Sequence, residues 1–405
     1  MLRFLTAGES HGPSLVAIVE GVPAGLAIDF DRITQDLRRR QGGYGRGRRM
    51  AIESDRARIV GGVRRGRTTG APVALLIENR DWANWQQTMY AEAEMPEGST
   101  GARRPPVVRP RPGHADLAGA LKFDHEDVRD VLERASARET AARVAVGAVA
   151  RQLLGRLDIH VASHVTAVGG VAMPGEPPIA FERICAIPED SPLHCASGDI
   201  EARMIAAIDT AREAGDTLGG TFEVVARGVP AGLGSYTQWD RKLDGRLAQA
   251  LMSIHAIKAV GIGAGVSASA RPGSQVHDEI VAQPAHADES IIVRPTNRAG
   301  GLEGGVTNGE ELRITGYMKP ISTLMRPLRS VNLTTLEEAP AAIERSDVCA
   351  VTAASVVGEA MVCFVLADAV LERFGGDSVQ QLEAHFRDTT SRVTRRLTRG
   401  AAARA

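Results

Sequence analysis

The chain carries 405 residues, 43% of them hydrophobic, with a formal net charge of -1. At roughly 100–200 residues per domain, this length suits two or three domains, or one large duplicated one, with a sizeable core. The near-zero charge argues against nucleic acid as a partner, and the lack of a charged leader or a charge-free apolar run argues against a membrane, so a cytoplasmic protein is expected.

In chain order, residues 2–26 read as strand, turn, strand. Ala7-Gly8-Glu9-Ser10-His11-Gly12 supplies the turn, a histidine set among small residues, and Ser14 to Val19 is rich in strand formers. Gly21-Val22-Pro23-Ala24-Gly25-Leu26 signals the next turn. A helix is predicted over 31–40, running into the glycine-rich stretch 42–47, and strands are predicted at 59–62 and 71–77. Residues 86–113 are polar and rich in Pro and Gly, a long loop that ends in Arg109-Pro110-Arg111-Pro112-Gly113-His114-Ala115-Asp116. A long helix is predicted over 133–154, with Ser136 and Glu139 as a capping box. An irregular Pro-rich connection over 172–200 leads to a helix over 200–214. The next helix is predicted over 244–258, with Leu247, Leu251, Ile254 and Ile257 on one face. Glycine-rich loops follow up to Gly305, then an alternating strand over 312–318 that leads into Lys319-Pro320-Ile321-Ser322-Thr323. Residues 355–374 are apolar nearly all round, a buried helix in which Glu359 and Asp368 speak against a lipid span, with Gly375 as its stop. Residues 377–405 read as a C-terminal helix and a frayed basic tail.

The chain repeats itself. Residues 7–26, AGESHGPSLVAIVEGVPAGL, align without gaps with residues 214–233, AGDTLGGTFEVVARGVPAGL, and nine of the twenty positions are identical. A predicted helix and then a glycine-rich stretch follow both copies. The expectation is an internal duplication of a strand–turn–strand–helix unit within one domain over 1–376. His11 corresponds to Leu218, so the fold needs the turn in both copies but the histidine in only one.

Of 48 basic residues only Lys122, Lys242, Lys258 and Lys319 are lysines, and arginines crowd the first third. Arg38, Arg39 and Arg40 end the first helix, where cations are favourable in their own right. Arg46, Arg48 and Arg49 follow, and Arg46 sits between Gly45 and Gly47. An arginine fork on a backbone that can approach a ligand closely suits phosphate or carboxylate. Arg134 and Arg138 flank the start of the long helix, an anion-binding position where cations want a compensating anion. His114 ends a stiff arginine-bearing loop and reads equally as a structural or a working residue. Asp347, in Arg345-Ser346-Asp347-Val348, reads as a cap, as an ion-pair partner of Arg345, or as a working carboxylate. The four cysteines form no CxxC pair, and neither a Walker lysine motif, dinucleotide glycine spacing nor HExxH occurs, so no metal is expected. These residues describe a duplicated α/β-containing protein with an arginine-lined anionic site and two well-placed histidines.

The stretches TAGESHG, QGGYGRGRRM, RPRPGHAD, ERASARETAARV, AGDTLGG, TNRAGGLEGG, MKPIST and RSDVCAV together resemble the chorismate synthase family, in family order from Met1 to about Gly376. The resemblance implies an α+β fold, a duplicated layered β-α-β sandwich with antiparallel-rich sheets, assembled as a homotetramer. It implies a lyase that removes phosphate from 5-enolpyruvylshikimate 3-phosphate to give chorismate, the last common step of aromatic amino-acid biosynthesis. It implies a flavoprotein of the FMN and FAD class that uses reduced FMN without net redox change. By resemblance, His11 is the acid that meets the leaving phosphate, His114 hydrogen-bonds the reduced flavin, and Asp347 works with the flavin in removing the ring proton. Flavin contacts fall on Arg134, Ala135 and Ser136, on His255 and Ala256, on Gly301, on Lys319, Pro320, Ile321, Ser322 and Thr323, and on Arg345. Substrate contacts fall on Arg40, Arg46 and Arg138; Arg40 and Arg46 are equally the positions assigned to NADP, with NADPH as a candidate reductant.

Two positions depart from the family pattern: Thr352 stands where proline is usual, and His255 where glutamine or another residue is common. Two rival readings are a flavin-binding protein of the same fold with changed activity and an arginine-rich nucleic-acid binder. Retention of His11, His114 and Asp347 together argues against the first. Eight Phe and four Tyr make a poor stacking platform for the second. The sequence contains no separate reductase module, so flavin reduced by an outside supply is expected.

Overall fold

The computed structural model describes residues 1–47, 55–94, 97–284, 290–344 and 347–397. Its first sheet contains β1 (Arg3–Ala7), β2 (Ser14–Glu20), β3 (Ala57–Gly61) and β4 (Val73–Glu78), in the order β1-β2-β4-β3 with every neighbour antiparallel. The second contains β5 (His160–Val168), β6 (Val171–Ala172), β7 (Gly220–Arg227), β8 (Ile257–Ile262) and β9 (Leu312–Met318), in the order β8-β9-β7-β5-β6, again antiparallel. Leaving aside the two-residue β6, both sheets run first, second, fourth, third strand of their own half. The strands alternate because one face of each sheet is buried: in β2, Leu15, Ala17 and Val19 point inward.

Eight helices matter here: α1 (Phe30–Gln41), α2 (Asp116–Phe123), α3 (Arg129–Arg134), α4 (Thr140–Gly155), α5 (Gly198–Glu213), α6 (Leu243–Met252), α7 (Val351–Phe374) and α8 (Val379–Leu397). Helix α4 packs on β2 and β4, α7 packs on β5 and β7, and the two helices pack on each other. The result is a sheet–helix–helix–sheet sandwich of the α+β class. Close approach of the helices depends on Gly147, where a Cβ would lie 2.3 Å from that of Ala360. Helix α7 is long and apolar enough to cross a membrane, yet most of it is buried in this core. Its one fully buried carboxylate, Glu359, accepts bonds from Arg39 of α1 at 2.7 and 2.8 Å and from Ser163 of β5 at 2.7 Å, and pairs with Arg151 of α4. Burial alone would push this carboxyl up, but Arg39 and Arg151 outweigh it and hold it well below the usual range.

Three element expectations need correction. The helix expected over 133–154 is broken: α3 ends at Arg134, a 3₁₀ turn covers 137–139, and α4 begins at Thr140. Ser136 caps that turn by accepting from the Arg138 N–H at 3.3 Å, but Glu139 does not reach back to complete a capping box; it binds Thr6 Oγ1 and Arg143 instead. The helix expected over 244–258 ends at Met252. Ile254 and Ile257 continue its apolar pattern because Ile257 opens the next strand, and Ala256 turns the chain with a φ of 65°. The residues before Gly8 are strand, whereas those before its counterpart Gly215 are the end of α5, so the repeated unit begins at the turn.

Candidate active site

His11 sits in the turn between β1 and β2. Gly8 closes this turn at a φ of 104°, and a Cβ there would lie 2.3 Å from the Ser14 carbonyl oxygen. Asn79 pins the other side, donating from Nδ2 to the Gly12 carbonyl at 2.9 Å and from its backbone N–H to Pro13 at 3.0 Å. The His11 side chain is then held from two directions. Its Nδ1 lies 2.9 Å from both carboxylate oxygens of Glu133, whose side chain is fully buried. Its ring stacks on Trp85 with centroids 3.7 Å apart and planes 19° from parallel.

Around it stand the expected cations. Arg134 donates to the Thr6 and Gly8 carbonyls, and Ser136 Oγ lies 3.2 Å from Ser10 Oγ, so both join the His11 turn. Ala135 packs in a small cluster with Val128 and Val131. Arg138 ion-pairs with Asp55, and Arg40 lies 3.9 Å from the same carboxylate while donating to Thr140 Oγ1 and the Ala137 carbonyl. Asp55 thus sits between Arg40 and Arg138 at this helix start.

His114 is built the same way. Its Nδ1 bonds Asp116, whose side chain is fully buried at the start of α2, and Arg111 Nη2 lies 3.1 Å from the same nitrogen. Burial would raise the Asp116 carboxyl, but His114 and Arg111 outweigh it and hold it well below the usual range. Arg111 also donates to Thr323 Oγ1 at 3.0 Å, and Lys319 Nζ donates to the Gly113 carbonyl at 3.0 Å. The segment 319–323 thus clasps the His114 loop. Thr217 supports it by donating to the Ile321 carbonyl at 2.7 Å, and a Cβ on Gly113 would lie 3.6 Å from that of Ser322. Pro320 follows Lys319, whose N–H donates to the Ala256 carbonyl. Burial, with the charge of Lys258 beside it, lowers the Lys319 ammonium from its ordinary value.

His255 precedes Ala256, whose carbonyl accepts from the Lys319 N–H. The histidine lines a cleft of about 490 Å³ with Thr6, Arg134, Glu139, Arg143 and Ser253. Burial pushes its imidazole down to about 4; Glu139 opposes this, and the charges of Arg143, His114 and Arg40 add to it. Its Nδ1 is buried with no hydrogen-bond partner among the described residues.

Two expected members stand apart. Asp347 pairs with Arg46 at 3.1 Å and accepts from the Gly47 N–H at 2.6 Å, in loops joined by the Val348 N–H donating to the Gly45 carbonyl. Gly301 lies in a separate turn, bonded to Asn297 Oδ1 and Asn308, and none of its bonds reaches the cleft. Arg345, like Arg48 and Arg49, lies outside the described residues. Thr352 is buried against Gly43, whose added Cβ would lie 2.9 Å from the threonine Cβ, so it packs the arginine-bearing loop onto α7. Sequence reasoning missed Glu133, Trp85, Asp55 and Asp116 as partners. Glu133 and Asp116 lay inside quoted motifs, but nothing in their spacing said what they would touch.

A family model described as chorismate synthase matches residues 2–371. This chain belongs to the chorismate synthase family. A chorismate synthase of Moorella thermoacetica is 59% identical over 377 residues, covering 93% of this chain and 95% of the relative. One of Desulforudis audaxviator is 55% identical over 393 residues, covering 97% and 98%. A crystal structure titled as chorismate synthase superposes with a TM-score of 0.76 at 41% identity, over 97% of this chain and 98% of that one. The chain is accordingly an enzyme, a lyase of aromatic biosynthesis, and family membership implies a flavin cofactor and a small phosphorylated substrate.

Proposed function

We propose that the protein eliminates phosphate from 5-enolpyruvylshikimate 3-phosphate in the anti-1,4 sense, giving chorismate, with reduced FMN bound. The observation that carries this reading is the pair of histidines, His11 and His114, each anchored at Nδ1 by a fully buried carboxylate. In the elimination the C–O bond to phosphate breaks with its electron pair, a ring C–H bond breaks, and a new C=C bond forms. No net oxidation occurs. His11 supplies the proton that the departing phosphate needs, and the surrounding guanidiniums favour its dianionic form in the site.

The residues present fit a flavin nucleotide: the cleft presents the guanidiniums of Arg134 and Arg143 beside apolar Phe4, Leu5 and Met361, and His255 Nδ1 is buried with no hydrogen-bond partner among the described residues. Arg134, Ser136, His255 and the segment Lys319–Thr323 would hold it, with His114 alongside. The bound reduced flavin supplies electron density for cleavage of the allylic C–O bond. Asp347, in loops apart from the His255 cleft and 3.1 Å from Arg46, is the carboxylate we assign to the ring proton on its family motif. Arg40, buried and bonded to Thr140 and Ala137, stands beside Arg138 at the Asp55 carboxylate.

We also propose a homo-oligomer, in which a second copy covers the outer face of the first sheet. Leu5, Ile18 and Val60 of that face are 75%, 43% and 55% exposed. The rim pairs Arg3 with Glu20 and Arg58 with Glu78, a mixed-sign border suited to self-association. Four free thiols suit a cytoplasmic location. The decisive experiment is anaerobic: purified protein, chemically reduced FMN and the enolpyruvyl phosphate substrate, following chorismate. Product formation is expected; a fully reduced, flavin-bound protein that makes none overturns the reading.

A further inference from the structure

We infer that Glu133 and Trp85 form a clamp that sets the tautomer and the orientation of His11, with Glu133 acting as a positioning residue of the elimination. This rests on the reading of His11 as the acid, but its structural content is separate from it. Glu133 binds the His11 turn three times. Its carbonyl accepts from the Ser10 N–H at 2.9 Å, its Oε2 accepts from the His11 backbone N–H at 2.9 Å, and its carboxylate takes Nδ1. Arg129 lies 3.7 Å from this carboxylate. A carboxylate offers acceptor oxygens, and its backbone and side-chain contacts place them at the His11 N–H and at Nδ1, so the proton belongs on Nδ1. The nitrogen that gains and gives a proton toward a ligand is then Nε2.

Trp85 fixes the ring plane. The indole is nearly fully buried, its Nε1 donates to Asp81 at 2.9 Å, and it carries the guanidinium of Arg104 at 3.9 Å from its centroid. His11 and Arg104 both lie within 4 Å of that centroid, so steric exclusion puts them on opposite faces. The imidazole is held at one edge by a carboxylate and on one face by an indole, two contacts that fix its edge and its plane. A histidine that must deliver a proton to one oxygen benefits from this, because small misplacements of a proton donor cost much of its effect. The segment 86–108 carries no family motif, yet Trp85 at its edge and Arg104 within it complete the clamp.

The test is a double-mutant cycle with a spectroscopic arm. Glu133→Gln keeps the shape but offers an amide that can donate to Nδ1 and invert the tautomer. It is expected to lower kcat on the order of 10²-fold while KM and FMN affinity stay at wild-type values. In a His11→Asn background the same change is expected to add no further loss, since Glu133 acts through His11. ¹⁵N-histidine spectra, with His11 assigned from the His11→Asn spectrum, are expected to show Nδ1–H in the wild type and its loss in Glu133→Gln. Wild-type kcat in Glu133→Gln, an equal loss in both backgrounds, or an Nε2–H tautomer in the wild type each overturns the clamp. Normal turnover in His11→Asn overturns the acid reading instead, while the spectra still decide the tautomer. Trp85→Phe, which keeps a stacking ring, is expected to retain more turnover than Trp85→Ala; equal rates remove the indole from the clamp.

Discussion

The two halves of the sandwich make nearly the same object and use it differently. In each, a glycine-rich turn leads into a strand that ends in GVPAGL, and matching glycines take positive φ: Gly8 and Gly215, Gly21 and Gly228, Gly25 and Gly232. Each turn also docks on the segment before its half's long helix. Ser10 donates its N–H to the Glu133 carbonyl ahead of α4, and Leu218 donates its N–H to the Val348 carbonyl ahead of α7. In the first half the side chain at the turn is a histidine facing a carboxylate. In the second it is a leucine packed on the core, while Thr217 and Leu218 prop up the segments that carry Ile321 and Asp347. One copy presents chemistry and the other holds it in place, on the same backbone.

This comparison can be broken most sharply at His11. His11→Ala is expected to lower kcat on the order of 10³-fold with flavin binding intact, measured by anaerobic turnover beside flavin titration. Lost FMN affinity with normal turnover at saturating flavin would remove the difference between the halves. The seam between them is tested next. Glu359→Gln leaves Arg39 and Arg151 buried beside a neutral amide, and is expected to cost about 3–5 kcal/mol in urea unfolding. An unchanged midpoint would mean that the seam holds through apolar packing alone.

His255, which lines the cleft beside Arg134, gives a smaller and pH-dependent effect. Its folded value of about 4 lies below the ordinary histidine value, so the unfolded chain takes the proton first. The associated stability is present above the unfolded value and is lost as pH falls toward the folded one. Between pH 7 and pH 5 the wild type should lose about 2 kcal/mol more than His255→Gln in paired urea titrations. Parallel curves would mean that this imidazole is not held neutral. The smallest change is at the counterpart of His11. Leu218→Ala should cost about 1–2 kcal/mol of stability, as truncation of a half-buried leucine does, with kcat near wild type. A large kcat loss there would show that the prop is tightly coupled to the chemistry.

Much of this was legible in the chain. The alternation of β2, the stripe of α6 and the all-round apolarity of α7 follow from local periodicity, and the family motifs pointed to His11, His114 and Asp347. Boundaries were less legible where one pattern runs into another. Ile254 and Ile257 prolong the stripe of α6, and only the turn at Ala256 shows that Ile257 belongs to a strand. The site's carboxylates were hidden for a different reason. Glu133 is 122 positions from His11, and Asp55 is 83 from Arg138. Such pairs have no spacing to read.

By itself, then, the sequence determined the repeat, the turn that both copies need, and the fact that only one of them carries a histidine. Those are local properties, set by glycine conformations and by side-chain alternation along a strand. Tertiary structure alone decided which nitrogen of His11 is held, that Trp85 covers its ring, and that Asp55 pairs with Arg138. Each of these depends on two distant segments being brought together by the packing of α4 and α7 between the sheets. The physical reason is that a buried charge takes whatever partner the fold delivers within hydrogen-bond reach, and the chain order does not record that reach.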